Sequence, residues 1–226
     1  MADFTELVKQ FHLQRAFLYG FIILSSFFVF APLGDLQISF GHRCLLYADV
    51  TYNVTVTPRY RYFRVHFPSD ASVCDYNIII AVAFSLIYAS VAAGGYVFLY
   101  FKQKKNKEVD IARLWFLVHC ASEVAVLVLV LVSACTISAG FSHVCQQLMT
   151  ANAHGINLAS CSDAQSFQSW RGYDGSNFHV CLSIATVGSW FSFVFWLLQT
   201  LFGGWKLWRL NMIYFPDQLK ICCKST

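Results

Sequence analysis

Four stretches of this 226-residue chain lack the charges that a water-exposed helix or strand would carry. Ala16 to Leu33 has 18 residues without a charge, Ile78 to Phe101 has 24, Leu114 to Phe141 has 28 with the single acid Glu123, and Val180 to Trp205 has 26. A helix needs about 20 apolar residues to cross the hydrocarbon core of a bilayer, and the helices of soluble cores are usually shorter. Composition points the same way: 57% of the chain is apolar and 12% charged, about half the charge of an ordinary soluble domain. The expected fold class is therefore all-α membrane, a four-helix transmembrane bundle, and the chain reads as a single tetraspan domain over residues 1–226. Its spans run about 16–33, 78–101, 114–141 and 180–205, with outer loops at 34–77 and 142–179. The first block exceeds the apolar core of a secretory signal, and Val29-Phe30-Ala31 is a poor cleavage site, so it reads as a retained signal-anchor helix.

Lysine and arginine set the orientation. Residues 1–15, 102–113 and 206–226 hold 11 of the 16 basic residues, Arg15 among them, whereas the two longer connections hold five. The positive-inside rule then places both termini in the cytosol. The membrane would belong to the cell surface or the secretory pathway. The basic excess is a mark of topology and of contact with the bilayer, and no nucleic-acid partner is expected.

Two features of the outer loops agree with that orientation. Asn53-Val54-Thr55 is an N-glycosylation acceptor in the first loop. Of nine cysteines, Cys44 and Cys74 lie in the first loop and Cys145 and Cys161 in the second, an even set of the kind a disulfide framework uses. Three pairings are open; Cys44 with Cys74 would clamp the ends of the first loop, and Cys145 with Cys161 would close a short one. Leu45 to Val56 alternates in part, and Arg59 to Phe67 is rich in aromatic and β-branched residues, so a small β-hairpin is expected on the bundle, in an outline that a claudin-like architecture shares. Arg59 and Arg61 on one face, with Tyr60 and Tyr62 on the other, suit either a protein partner or the lipid headgroups. A short helix is expected over Val144 to Ala153, and Trp170-Arg171-Gly172-Tyr173 reads as a turn.

Inside the membrane the sequence offers one polar pair. His119 lies one helical turn before Glu123 on the same face, and a group of this kind serves either as glue between helices or as part of an ion path. No histidine pair for haem, C-x-x-C, zinc signature, phosphate loop or nucleophile elbow occurs. The chain is accordingly expected to be no enzyme and to need no cofactor or metal. Ala81, Ser85, Ala89 and Ala93 recur every four residues, with Gly94 and Gly95 following, a pattern that lets a helix approach closely, from within the bundle or from a partner. Near the end of the chain, Cys222 and Cys223 are candidates for S-palmitoylation, which would lay the tail on the bilayer.

The stretch Ser39-Phe40-Gly41-His42-Arg43-Cys44-Leu45-Leu46-Tyr47 resembles the G-R-C-x-L-[YF] segment of the transmembrane protein 179 family, with His42 interrupting the usual Gly-Arg. Ser133-Ala134-Cys135 after Val132, then Cys145, then Ser160-Cys161-Ser162-Asp163-Ala164-Gln165, is similar to that family's V-S-A-C and S-C-x-E-x-Q pattern. The likeness covers most of residues 16–205. It implies a tetraspan protein with both termini cytosolic and four outer cysteines, and it implies no established activity. The W-G-L-W-C-C signature of claudins and the C-C-G of tetraspanins are absent. Two functions fit these observations. One is a non-enzymatic interaction, auxiliary or adhesion-type protein that presents a disulfide-bonded outer surface to another membrane protein or to itself. The other is a small channel, transporter or ion-path component built on Glu123 and His119.

Overall fold

The computed structural model describes residues 2–54, 61–67, 71–104, 113–150, 158–166, 170 and 172–222. In chain order these form α1 (Ala2–Ser39), β1 (Asp49–Val54), β2 (Arg61–His66), α2 (Ser72–Ile80), a π-helical stretch (Ala81–Tyr88), α3 (Ala89–Lys104), α4 (Arg113–Thr150), a 3-10 turn (Cys161–Ser166) and α5 (Phe178–Cys222). The second span is thus one continuous rod of three pieces, and four helical rods are long and apolar enough to cross a membrane. Lipid offers no partner to backbone N–H and C=O groups, so a helix, which satisfies them internally, is the form such segments take.

The helices outrun the uncharged blocks. α4 continues unbroken to Thr150, in place of a separate short helix over Val144 to Ala153. Its inward stripe is Glu123, Val126, Val130, Ser133, Ile137, Gly140, Val144 and Leu148, every three or four residues, the periodicity of one helix face. The outward faces are also apolar, with Phe17, Phe28, Val91, Phe98, Val128 and Phe191 all exposed. In water such a surface would aggregate; against lipid tails it is the required solvent-facing side.

The first span packs along both the second and the fourth, and the fourth packs along the third. Spans one and three therefore face each other across the bundle axis. Spans one and four meet closely at Gly188, where an added Cβ would stand 2.7 Å from Phe28 Cβ and 3.1 Å from the Phe28 carbonyl oxygen. Phe28 lies four residues before Pro32, which sits inside α1. Proline has no N–H to give that carbonyl, and the glycine lets the neighbouring backbone close over it. Ser133 and Thr136 of α4 both donate to Asn77 Oδ1 at 2.6 and 3.1 Å, joining spans two and three. The small-residue stripe is used within the bundle: Ala81, Ser85 and Ala89 are buried, while Gly94 and Gly95 are exposed.

At one end of the bundle, loops one and two build a compact cap. α1 stops in a Schellman arrangement: Gly41 (φ 64°) donates to Ile38 O at 3.1 Å, and His42 donates to Gln37 O at 2.7 Å. His42 itself has φ 61°, so the residue that departs from the family pattern sits just beyond the helix-ending glycine. β1 and β2 pair antiparallel, with Val50 opposite Val65 and Thr51 opposite Arg64. Val50 is buried and Thr51 exposed, so one face of the hairpin rests on the cap core of Phe40, Leu45, Trp170 and Phe178. The connection around Pro58, with Arg59 and Tyr60, lies outside the described residues. Disulfides join Cys44 to Cys74 and Cys145 to Cys161.

Candidate functional site

The inward stripe of α1 runs back from Phe40 through Leu36, Leu33, Val29, Ile22 and Tyr19 to Arg15. Because the helix starts well before the uncharged block, Arg15 does not stand at the end of the span, where charge counting puts it. Its side chain is 1% exposed and forms a salt bridge with Glu123, whose side chain is 0% exposed. The other ten basic residues of the termini and the 102–113 connection still outnumber the five of the two longer loops, so the charge asymmetry survives this correction.

The pair is diagonal, reaching from span one to span three through the bundle axis, and the two remaining spans close around it. Arg15 donates through Nη1 to the Tyr96 hydroxyl and through Nη2 to Glu123 Oε1. Nη2 also lies 3.4 Å from the carbonyl of Gln199 on α5. The guanidinium stacks over the Tyr96 ring at 4.8 Å and the Phe11 ring at 5.7 Å, contacts that favour a cation away from water. Tyr19 donates its hydroxyl to Glu123 Oε1. His119 Nε2 lies 3.3 Å from the same carboxylate oxygen and its Nδ1 lies 3.0 Å from the Tyr88 hydroxyl. Tyr88, in the π-helical stretch, also reaches Ser122 Oγ at 2.9 Å.

These contacts converge on Oε1. Glu123 Oε2, Arg15 Nε and both amide atoms of Gln199 are buried without a hydrogen-bond partner among the described residues. Gly203 of α5 covers this side: a Cβ there would come within 3.0 Å of Glu123 Oε2, 3.3 Å of Arg15 Nη2 and 3.4 Å of Cys120 Sγ. Above the cluster, Trp196 is fully buried, stacks on Tyr88 at 5.9 Å and donates Nε1 to Ser85 Oγ at 3.3 Å. An unpaired charge in this setting would be expensive; two opposite charges supported by three tyrosines are tolerable.

The residues singled out from sequence are distributed as follows. His119 and Glu123 belong to the cluster, while the four outer cysteines form the two disulfides of the cap. Asn53 lies in β1, pairs in register with Tyr62 and has the parity of exposed Thr51; its side chain is outside what is described. Cys222 ends α5, and its side chain, like all of Cys223, is likewise outside. Arg15, Tyr19, Tyr88, Tyr96, Gln199 and Gly203 escaped the sequence reading. Extending the stripe of α1 backwards would have found Arg15 four residues before Tyr19, and Gln199 is the one amide side chain between Val180 and Trp205.

Comparison with known proteins places this architecture. The family model described as the transmembrane protein 179/179B claudin domain matches residues 11–213. Transmembrane protein 179B of Danio rerio is 25% identical over 191 residues, covering 82% of this chain and 79% of the relative. No solved structure matches.

Proposed function

Since this chain belongs to the transmembrane protein 179/179B claudin-domain family, we propose that it is a non-enzymatic interaction, auxiliary or adhesion-type tetraspan that presents its outer cap to another membrane protein or to a second copy of itself. The observation that carries this reading is the filled bundle axis beneath a firmly seated cap. Trp196, Arg15 and Tyr19 are each fully buried along the axis, and the cavity beside Ser85, Ser133, Ser189 and Ser192 measures ≈ 10 Å³, room for at most one water molecule. Such an interior suits a rigid scaffold better than a conduit. The cap, by contrast, is tied at two places by disulfides and carries a hairpin with one face seated on the core and exposed Thr51 on the other. Exposed Ser90, Val91, Gly94 and Gly95 on the second span would let a partner's helix approach in the membrane.

In this reading both termini are cytosolic and the cap lies outside, in the plasma membrane or a secretory-pathway membrane. The charge asymmetry supports that orientation. An N-glycan on Asn53 is its check: enzymatic deglycosylation should shorten the wild-type protein on a gel and leave Asn53→Gln unchanged, and an unshifted wild type would remove this support.

Purification in mild detergent tests the function itself. A larger membrane protein recovered in fixed stoichiometry, and lost on Thr51→Glu while the bundle stays folded, is the expected result. A monodisperse homo-oligomer that conducts ions in liposomes would overturn it. That outcome belongs to the second reading, an ion path through Glu123 and His119. The contact chain from Tyr88 through His119 to Glu123 favours this alternative, and Glu123→Gln should then abolish flux while expression is preserved.

A further inference from the structure

The two disulfides of the cap sit in different chemical settings. Cys44 and Cys74 are 4% and 1% exposed and belong to the apolar core. Cys145 and Cys161 are both partly exposed, and a ring nitrogen of His179 lies with their two sulfurs so that the three atoms are all within 4.8 Å of one another. His179 is positioned by the first turn of α5 and by the rings of Phe141 and Phe178, at 5.4 and 6.2 Å. It is the one grouping of three such donors among the described residues.

We propose that Cys145, Cys161 and His179 form a redox-gated metal site: a disulfide when oxidised and, once opened by a dithiol, a two-thiolate, one-imidazole site for a zinc-class divalent ion. Access decides which disulfide a reductant reaches, and the accessible ones are the labile ones. A thiolate of the dithiol attacks one sulfur of the pair and the Cys–Cys bond breaks. The departing sulfur takes up a proton from solvent. The second thiol of the reductant then displaces the mixed disulfide, so two electrons pass to the protein, the reductant leaves as its own disulfide, and two cysteine thiols remain.

Two thiolates and an imidazole are the soft donors zinc prefers, with a fourth position left for water. Ligands bound at about 2.3 Å around a tetrahedral ion stand roughly 3.7 Å apart. Donors already within 4.8 Å reach that spacing by side-chain rotation. Binding releases the two thiol protons to solvent. The consequence is a second way to fasten the 3-10 turn Cys161–Ser166 to α4, which the disulfide otherwise does. The ligands are far apart in sequence and two of them read as disulfide cysteines, so no zinc signature announces them.

The test uses the full chain in mild detergent, treated with rising dithiothreitol, with alkylated cysteines counted by mass spectrometry. The Cys145–Cys161 pair should open at lower reductant than Cys44–Cys74. After removal of reductant without oxygen, cobalt(II) should give a thiolate charge-transfer band at one equivalent that zinc then erases. Cys145→Ser with Cys161→Ser should lose the band although Cys120, Cys135 and Cys181 remain. His179→Gln, which removes a ligand and not merely a partner of one, should weaken cobalt binding by at least the roughly 10- to 100-fold that loss of a ligand's partner costs, and His179→Cys, which restores a ligand, should bind as the wild type does. Simultaneous opening of both disulfides, no band, or a band indifferent to His179→Gln would each overturn the proposal.

Discussion

Arg15→Met is expected to destabilise the folded bundle by about 3–5 kcal/mol, because it leaves the buried Glu123 carboxylate with the Tyr19 hydroxyl and His119 but without its counter-charge. Glu123→Leu should cost a similar amount for the converse reason: the Arg15 guanidinium would keep only the Tyr96 hydroxyl, the Gln199 carbonyl and two aromatic faces. The double variant is the informative one. With both charges removed, the apolar replacements fill the same space and most of the loss should be recovered, since a buried ion pair is seldom more stable than a well-packed apolar pair. Denaturation in mixed detergent, followed by fluorescence, gives the three values. Additive single losses would mean that the two groups do not act as a pair, contrary to their geometry. Neither single variant removes a charge from a water-exposed position, so added salt should leave the differences almost unchanged.

The second large effect is expected at Gly188→Val. A Cβ at this position would meet Phe28 Cβ at 2.7 Å, Phe28 C at 3.0 Å and Phe28 O at 3.1 Å, and two of those three atoms are backbone. A crowded side chain can rotate away, whereas a helix backbone must translate, so the first and fourth spans would have to separate along their length. Overpacking of this kind costs about 1–3 kcal/mol. The damage should also spread. Arg15 and Tyr19 lie on the same stripe of α1 as Val29, and Gln199 and Gly203 follow Gly188 on α5. Separation of these helices would therefore open the ion pair to solvent. Gly20→Val is the control, because a Cβ at Gly20 meets nothing within 4 Å. The same denaturation should show a marked loss for Gly188→Val and almost none for Gly20→Val. Equal losses would instead indicate a general sensitivity to β-branched residues in these helices.

Glycine thus has two roles in this protein that only the neighbours distinguish. Gly94 and Gly95 follow the every-four stripe in sequence, yet both face outwards with open space around them. Gly188 and Gly203 belong to no such stripe, yet each lies against another span, one over a proline-freed carbonyl and one over the ion pair. Spacing along one helix reports which residues share a face. It carries no information on what that face meets.

The four spans, the small two-stranded sheet and the family were legible from the residues because each depends on local or cumulative properties. An uncharged run of 24 residues forces a helix in lipid whatever lies beside it, and alternation with turn residues forces a hairpin. Arg15 was not legible. Charge counting treats a basic residue at the edge of an apolar block as the end of the span, and most are. Here the helix begins earlier, so the residue lies a turn inside the bundle, and the one acid of the opposite span is at the matching depth. That match is a property of helix rotation and relative height, set by packing at Gly188, Asn77 and the cap rather than by any segment alone. The same holds for His179, which stands beside two sulfurs only because α5 begins where α4 and the second loop bring Cys145 and Cys161. Sequence by itself determined what must lie in the membrane and what must lie outside it, since transfer of apolar surface is additive along a chain. Tertiary structure decided which charges, hydroxyls and sulfurs meet, since a hydrogen bond or an ion pair needs its two atoms within about 3 Å.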